Sequence, residues 1–202
     1  MTKSLNPDKF KRVMVKQKAA VEHSIDNANE ERGVLLLLTG DGKGKTTSAF
    51  GMIFRALGYE QKVGVVQFIK GTQQSGEEIL LANNYPEVEF HQMGTGFTWD
   101  TQNHAADTLA AERTWAFAEK MLKNPDFDLI LLDELTYMIA FKNLDEEKII
   151  TALQNRPVQQ SVIVTGRGGG AALREISDTV SEVKSIKHAF EAGIKARLGV
   201  DY

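Results

Sequence analysis

A glycine-rich segment, residues 39–47, carries the clearest chemistry in this sequence of 202 residues. It reads Thr-Gly-Asp-Gly-Lys-Gly-Lys-Thr-Thr and lies between an apolar run and a stretch with helical spacing. Glycines allow consecutive backbone N–H groups to converge on an anion, and the following helix adds the positive end of its dipole. In such a loop the lysine of the Gly-Lys-Thr core binds phosphates and the threonine hydroxyl binds Mg²⁺. The pattern therefore predicts a site for a nucleotide polyphosphate.

The loop departs from the usual pattern at one position. A glycine ordinarily stands five residues before the glycine of the Gly-Lys-Thr core, whereas this chain has Thr39 there. The departure leaves the path of the loop open but keeps the core intact. The residues expected to bind the nucleotide are Gly40, Asp41, Gly42, Lys43, Gly44, Lys45, Thr46 and Thr47.

An acidic pair, Asp133 and Glu134, follows the strongly apolar run 129–132. Proteins with a phosphate loop place a Mg²⁺-binding carboxylate at the end of such a buried strand. Acidic residues are also common at helix starts simply because the helix dipole favours them. With a phosphate loop upstream we favour a metal site formed by Thr46, Asp133 and Glu134, and leave open which carboxylate lies nearer the ion.

A second glycine-rich segment, residues 165–170, contains Arg167 at another predicted strand end. Ligands of open α/β sheets bind outside the carboxyl ends of the strands, so this segment is expected to face the same crevice. Arg167 then contacts a phosphate or a ligand carboxylate, or it is a solvent-exposed turn residue; the sequence pattern fits both.

Two aromatic residues, Phe97 and Trp99, lie in a third glycine-containing segment, residues 93–100. Their spacing alone favours rings that cap the hydrophobic core. Placed on a glycine loop at the crevice, they would instead contact a bulky planar ligand.

The elements that position these loops alternate along the chain. Short apolar runs predict strands at residues 33–39, 62–68, 88–93, 128–134 and 161–166, with an edge strand at 179–186. Helical patterns occupy residues 46–58, 104–123, 134–141, 145–154 and 171–177. This alternation predicts an α/β fold with a mostly parallel sheet and helices on both faces. With the phosphate loop after the first strand, we expect the P-loop NTPase (RecA-like) class.

Residues 1–32 differ from the rest, with seven Lys/Arg and five Asp/Glu. The apolar spacing of Phe10, Val13, Met14 and Val21 predicts an amphipathic helix that starts at residues 6–8. We expect an N-terminal helical arm (1–32) that lies on its own domain or on a partner subunit, ahead of the α/β domain (33–202); a frayed basic tail is the alternative.

Composition excludes several classes of protein. The chain has no cysteine, which rules out disulfides, Cys-ligated metal sites and thiol nucleophiles. A net charge of −3 disfavours nonspecific electrostatic binding to nucleic acid. No apolar run reaches the ~18 residues of a membrane span, and the N-terminus has no apolar signal region. We therefore expect a cytoplasmic protein that binds neither nucleic acid nor membrane.

From about residue 33 onward the sequence resembles the corrinoid adenosyltransferases of the P-loop type. The matching motifs are TGDGKGKTT (39–47), QFIKG (67–71), MGTGFTWDTQN (93–103), LLDELTYM (131–138), VTGRG (164–168) and KHAFEAGIKARLGVDY (187–202). Their combination is much more specific than any single motif.

The resemblance implies that the 5′-deoxyadenosyl group of ATP is transferred to the Co(I) of a reduced corrinoid with release of triphosphate, and that Mg²⁺ assists. Co(I) is itself a strong nucleophile, so the reaction needs no side-chain nucleophile or base. By motif position, Phe97 and Trp99 would be the catalytic side chains that displace the lower axial ligand of cobalt. Relatives use an N-terminal helix to cover the active site, often within a homodimer. Without a thiol pair, this chain would depend on an external reductant, a reduced flavin or flavoprotein.

Two other functions remain open at this point. A P-loop ATPase or kinase would act on the γ-phosphate of ATP, although the sequence offers no assignable acceptor or general base for a kinase. A nucleotide-dependent carrier module would bind a corrinoid without turnover.

Overall fold

The computed structural model describes residues 6–69, 74–94 and 104–202, and the chain forms two compact units, Met1–Glu31 and Arg32–Tyr202. The first unit contains the helix α1 (Pro7–Asp26). Asn6 caps it by accepting a hydrogen bond from the Asp8 N–H at 3.0 Å, and Pro7 occupies the first turn, where its missing N–H costs nothing. The predicted helix is confirmed, and the arm that lies on a domain or a partner subunit stays a prediction. The apolar side chains that defined its spacing are exposed.

The second unit is built on a parallel sheet of six strands in the order β3-β2-β4-β5-β1-β6. The strands are β1 (Leu35–Thr39), β2 (Val63–Gln67), β3 (Glu89–Gln92), β4 (Leu129–Asp133), β5 (Ser161–Thr165) and β6 (Thr179–Glu182). Every neighbouring pair is parallel. The predicted strands and fold class are confirmed. Because the strands are parallel, the loops after β1, β4 and β5 all lie at the carboxyl ends of the strands, on the same side of the sheet.

Helices cover both faces of the sheet. One face packs against α2 (Lys45–Leu57) and α3 (Gly76–Asn84), which bury Phe50, Ile53 and Leu81 over Val65, Leu131 and Ile163. The other packs against α4 (His104–Leu122), α5 (Leu135–Ala140), α6 (Glu146–Gln154) and α7 (Gly170–Ile176). Successive strand residues such as Val65 and Val66 contribute to opposite clusters, because side chains alternate across a strand. A short 3₁₀ helix, Ala189–Ala192, follows β6.

The hydrophobic pattern did not predict helix α3. Only Leu81 is buried in it, while Ile79 and Leu80 stay about half exposed, so no apolar stripe marks it. Its local signal is a cap: Ser75 accepts a hydrogen bond from the Glu78 N–H at 3.3 Å. The Ser-x-x-Glu spacing is that of a capping box and could have identified the helix start.

Among the described residues, no helix is both long enough and apolar enough to cross a membrane.

Candidate active site

The phosphate loop connects β1 to α2 as the sequence predicts. Gly44 has φ 114°, a left-handed conformation that glycine adopts without strain, and α2 begins at the next residue. Lys45 folds back over the loop, where its Nζ donates a 2.8 Å hydrogen bond to the Gly42 carbonyl. Burial is the main cause that lowers the pKa of Lys45, and the nearby Glu134 carboxylate opposes it. A largely buried cation therefore lies at the start of this helix.

Asp133 ends β4 and is buried beneath the loop, 2% exposed. Its Oδ1 accepts hydrogen bonds from Thr46 Oγ1 at 3.0 Å and from Thr165 Oγ1 at 2.6 Å. Its Oδ2 accepts one from Gln67 Nε2 at 2.9 Å. Burial raises the pKa of Asp133, and the three donors oppose that shift. The structure thus brings together Thr46 and Asp133, two of the predicted metal ligands.

Glu134 follows directly, with φ 60° at the start of α5. Its N–H donates to Thr165 Oγ1 at 2.9 Å, but its Oε2 is buried without a hydrogen-bond partner among the described residues. Burial, and then the charge of Asp133, raises the pKa of Glu134 to about 7, while Lys45 and Arg167 oppose the shift. A buried carboxylate oxygen without a donor suits a cation.

These oxygen groups fit Mg²⁺ in kind and number. No group of three or more His, Cys, Asp or Glu side chains arranged as a metal cage exists within the described parts of the chain. Mg²⁺ commonly uses one or two carboxylates, with waters and substrate phosphates completing its octahedron. The Thr46 hydroxyl and the carboxylates of Asp133 and Glu134 match that partial protein set.

Two glutamines and a threonine belong to this site although the sequence reasoning did not select them. Gln67 bonds to Asp133, and Gln92 Nε2 in turn donates to Gln67 Oε1 and to Glu78 Oε2, each at 3.0 Å. Thr165 links Asp133 to the Glu134 backbone. The available signal was a polar residue at the last position of a buried strand for Gln67 and Thr165, and at the end of the partly exposed strand β3 for Gln92.

The loop opens into a cleft of about 1190 Å³. Arg167 is exposed on the wall of this cleft, as the sequence predicted for its segment. The Thr136 hydroxyl donates a 2.9 Å hydrogen bond to the Arg167 carbonyl. Tyr137 also lines the cleft, and burial followed by the charge of Glu134 raises its pKa. The cleft is further lined by Gln67 and Ile69, by the start of α3, and by parts of residues 185–202.

Asp41 and Lys43 contact the segment that follows β6. Asp41 Oδ1 accepts a hydrogen bond from the Ser185 N–H at 3.1 Å, and Lys43 Nζ lies 2.8 Å from Asp201 Oδ1. Two of the eight loop residues that were predicted to bind the nucleotide therefore have partners within the protein.

Phe97 and Trp99 lie outside the described residues, so their role stays a prediction. The described strand β3 ends at Gln92, at the outer edge of the sheet beside β2.

Comparisons with known proteins agree with this picture. Residues 31–202 match the family model described as ATP:corrinoid adenosyltransferase BtuR/CobO/CobP. A corrinoid adenosyltransferase of Escherichia coli (strain K12) is 48% identical over 198 residues, which cover 98% of this chain and 100% of that protein. One from Pseudomonas aeruginosa is 48% identical, covering 94% and 93%, and one from Sinorhizobium sp is 38% identical, covering 94% and 89%.

A solved structure shares the fold. The flagellar accessory protein FlaH from Methanocaldococcus jannaschii superimposes with a TM-score of 0.51 at 12% identity, covering 77% of this chain and 73% of that one. At this identity the likeness concerns the fold alone.

Proposed function

The chain belongs to the ATP:corrinoid adenosyltransferase family, and from that premise we propose how its site carries out the reaction. The activity is the ATP-dependent adenosylation of a corrinoid, an alkyl-group transfer. A P-loop ATPase or kinase acting on the γ-phosphate is not favoured. What remains to be assigned is the task of each residue.

The chemistry defines those tasks. The Co(I) of the corrinoid attacks C5′ of ATP with its electron pair, a Co–C bond forms, and the C5′–O5′ bond breaks with its electrons leaving on triphosphate. No proton moves in this step, so the protein needs no general base. It must hold C5′ in line with cobalt and stabilise the charge that develops on the leaving triphosphate.

We assign the second task to the backbone N–H groups of the phosphate loop, residues 40–47, to the Lys45 and Thr46 side chains, and to Arg167. The observation that carries this assignment is the buried Lys45 ammonium at the start of α2, beside backbone N–H groups of a glycine-rich loop. Charge-assisted hydrogen bonds in a partly buried site are stronger than neutral ones. Arg167, on the wall of the same cleft, would add a second cation for the outer phosphates.

Thr46, Asp133 and Glu134 are proposed to hold Mg²⁺. When bound, the ion would neutralise part of the triphosphate charge. The unpartnered Glu134 Oε2 and the 3.0 Å contact between Thr46 and Asp133 support these ligands. Gln67 and Thr165 keep the Asp133 carboxylate in one orientation.

The remaining assignments follow the family resemblance. Phe97 and Trp99 are proposed to displace the lower axial ligand of cobalt, since apolar rings offer the metal no lone pair. A reduced flavin or flavoprotein is the proposed external reductant, because the chain has no cysteine. The exposed apolar side chains of α1 support a helical arm that covers the active site within a homodimer. Dependence on ATP supports action in the cytoplasm.

A decisive experiment replaces ATP by its β,γ-imido analogue, with Mg²⁺ and a chemically reduced corrinoid. Adenosyl transfer breaks only the C5′–O5′ bond, so the analogue should give a light-sensitive adenosylated corrinoid and intact imidotriphosphate. Corrinoid-independent release of ADP and phosphate from ATP, without turnover of the analogue, would contradict the proposal. Binding of both substrates without any product would instead indicate a carrier.

A further inference from the structure

The segment formed by residues 183–202 runs along the outer edge of the phosphate loop. It leaves β6, whose Glu182 is paired with Thr39 just before the loop. The Gly42 N–H then donates a 2.8 Å hydrogen bond to the Val183 carbonyl. Together with the Asp41–Ser185 and Lys43–Asp201 contacts, three consecutive loop residues bind this one segment.

The two backbones approach more closely than any side chain would permit. A Cβ atom added to Gly42 would lie 2.7 Å from the Val183 carbonyl oxygen, and one added to Gly40 would lie 2.3 Å from it. Real Cβ atoms essentially never come within 3.0 Å of another heavy atom. The close approach of this segment therefore requires glycine at both positions, in addition to any requirement from phosphate binding.

The far end of the segment is also held in a defined shape. Asp201 Oδ2 accepts a hydrogen bond from the Arg197 N–H at 2.8 Å, and the Asp201 N–H donates to the Arg197 carbonyl at 2.8 Å. The Gly199 N–H bonds to the Tyr202 carbonyl at 2.8 Å. The Asp201 carboxylate is thus fixed by its own turn while its Oδ1 meets Lys43.

The charges oppose a direct phosphate-binding role for Asp41 and Lys43. A carboxylate at Asp41 repels triphosphate, and Asp201 neutralises the Lys43 ammonium. Hydrogen bonds stabilise both carboxylates as anions. The Ser185 N–H is the main cause that lowers the pKa of Asp41. The hydrogen bond from the Lys43 ammonium is the main cause that lowers the pKa of Asp201. These charges have partners in the protein that account for them without a nucleotide.

We propose that residues 183–202 position the phosphate loop, and that Asp41 and Lys43 are positioning residues which bind this segment rather than ATP. The inference rests on the proposed function in one respect, that the loop binds the phosphates of ATP. It leaves the phosphates to the loop N–H groups, Lys45, Thr46 and Arg167.

The variant Asp201→Asn separates the two roles of Lys43 by the sign of its effect. If Lys43 positions the loop, ATP and inorganic triphosphate should both bind about 2- to 5-fold more weakly, the range expected for a partly exposed ion pair. The KM for ATP should rise by a similar factor, with kcat at saturating ATP and the KM for the corrinoid unchanged. If Lys43 binds phosphate directly, loss of the neighbouring negative charge should leave binding equal or tighter, which would overturn the proposal.

Charge reversal provides the second test. Lys43→Asp alone should weaken triphosphate binding, and the double variant Lys43→Asp with Asp201→Lys should recover most of the loss, because the ion pair is restored with opposite polarity. A double variant that binds no better than Lys43→Asp would overturn the proposal, since the restored ion pair would then not support binding.

Asp126→Asn is the matched control, because it breaks an exposed ion pair with Lys62 (3.6 Å) away from the cleft. Its binding constants should equal those of the wild type, and melting temperatures verify folding in all variants. Isothermal titration with ATP and inorganic triphosphate needs no corrinoid. Failure of the proposed function would appear instead as a wild-type protein that forms no adenosylated corrinoid.

Discussion

The Thr165 hydroxyl donates a 2.6 Å hydrogen bond to Asp133 Oδ1, the shortest of the three that this carboxylate accepts. The same oxygen of Thr165 accepts from the Glu134 N–H at 2.9 Å. Thr165 ends β5 and Asp133 ends the neighbouring β4. One hydroxyl therefore fixes the orientation of the buried carboxylate and the backbone of the next acidic residue.

Thr165→Val should consequently weaken the response to Mg²⁺ more than it changes the fold. Valine keeps the volume but removes both hydrogen bonds, which leaves a buried acceptor and a buried donor short of partners at a cost of about 1–3 kcal/mol. We expect a Mg²⁺ concentration for half-maximal activity roughly 10-fold higher, measured as adenosylated corrinoid formed. Thr165→Ser, which keeps the hydroxyl, is the control and should stay near the wild type. An unchanged Mg²⁺ dependence in the valine variant would refute the positioning of Asp133 by Thr165.

Lys45→Ala should remove most of the ATP affinity. The substitution deletes the buried cation that we assign to the triphosphate, and a hydrogen bond to a charged group contributes about 1.5–3 kcal/mol. This corresponds to a Kd roughly 10- to 100-fold higher, measured by titration with ATP. Lys148→Ala, on the exposed side of α6, serves as the control. Near-normal ATP binding by the Lys45 variant would contradict the assignment of this loop to the nucleotide site.

The features that local sequence patterns encode were predicted correctly. The four inner strands β1, β2, β4 and β5 are mostly apolar because a parallel sheet covered on both faces buries nearly every side chain of its central strands. The phosphate loop and the acidic pair were visible for the same reason, since each follows such a run directly. Helix α3 was missed because it buries only one large side chain, Leu81.

Contacts between residues far apart in the chain could not be predicted. The pairing of β2 with β4 places Gln67 next to Asp133. The pairing of β1 with β6 places Asp41 near Ser185. Nothing in the local pattern of either residue shows its partner, because strand order follows from packing of the whole sheet. The sequence therefore identified Asp41 and Lys43 as residues of the loop and predicted their binding partner to be the nucleotide.

Asp178→Asn should reduce stability in a pH-dependent way. Asp178 receives two hydrogen bonds from Arg32, at 2.6 and 3.0 Å, and one from the Leu35 N–H at 2.8 Å. The Arg32 side chain is the main cause that lowers the pKa of Asp178 to about 2. A depressed carboxyl pKa adds stability that is complete above the unfolded-state pKa of about 3.9 and is lost as the pH falls towards 2.

The expected loss for this variant is about 1–2 kcal/mol at pH 7, because the pair is partly exposed to solvent. Denaturant unfolding at a series of pH values measures it, and the gap to the wild type should narrow below pH ~4. Asp126→Asn, in a more exposed pair, should lose less than about 1 kcal/mol. A gap for Asp178→Asn that is constant down to pH ~2 would show that its carboxylate charge does not stabilise the fold.

The double substitution Phe97→Ala with Trp99→Ala tests the proposed role of the aromatic pair. If these rings displace the lower axial ligand of cobalt, they ease reduction of Co(II) and do little once Co(I) is formed. Adenosylation that starts from Co(II) with a weak reductant should therefore slow by at least about 10-fold, roughly 1.4 kcal/mol, while the rate from chemically prepared Co(I) changes much less. Phe117→Ala, which removes an exposed ring stacked on His91 at 3.9 Å, controls for loss of an aromatic side chain. Equal slowing from both cobalt states would mean that Phe97 and Trp99 only pack against the protein.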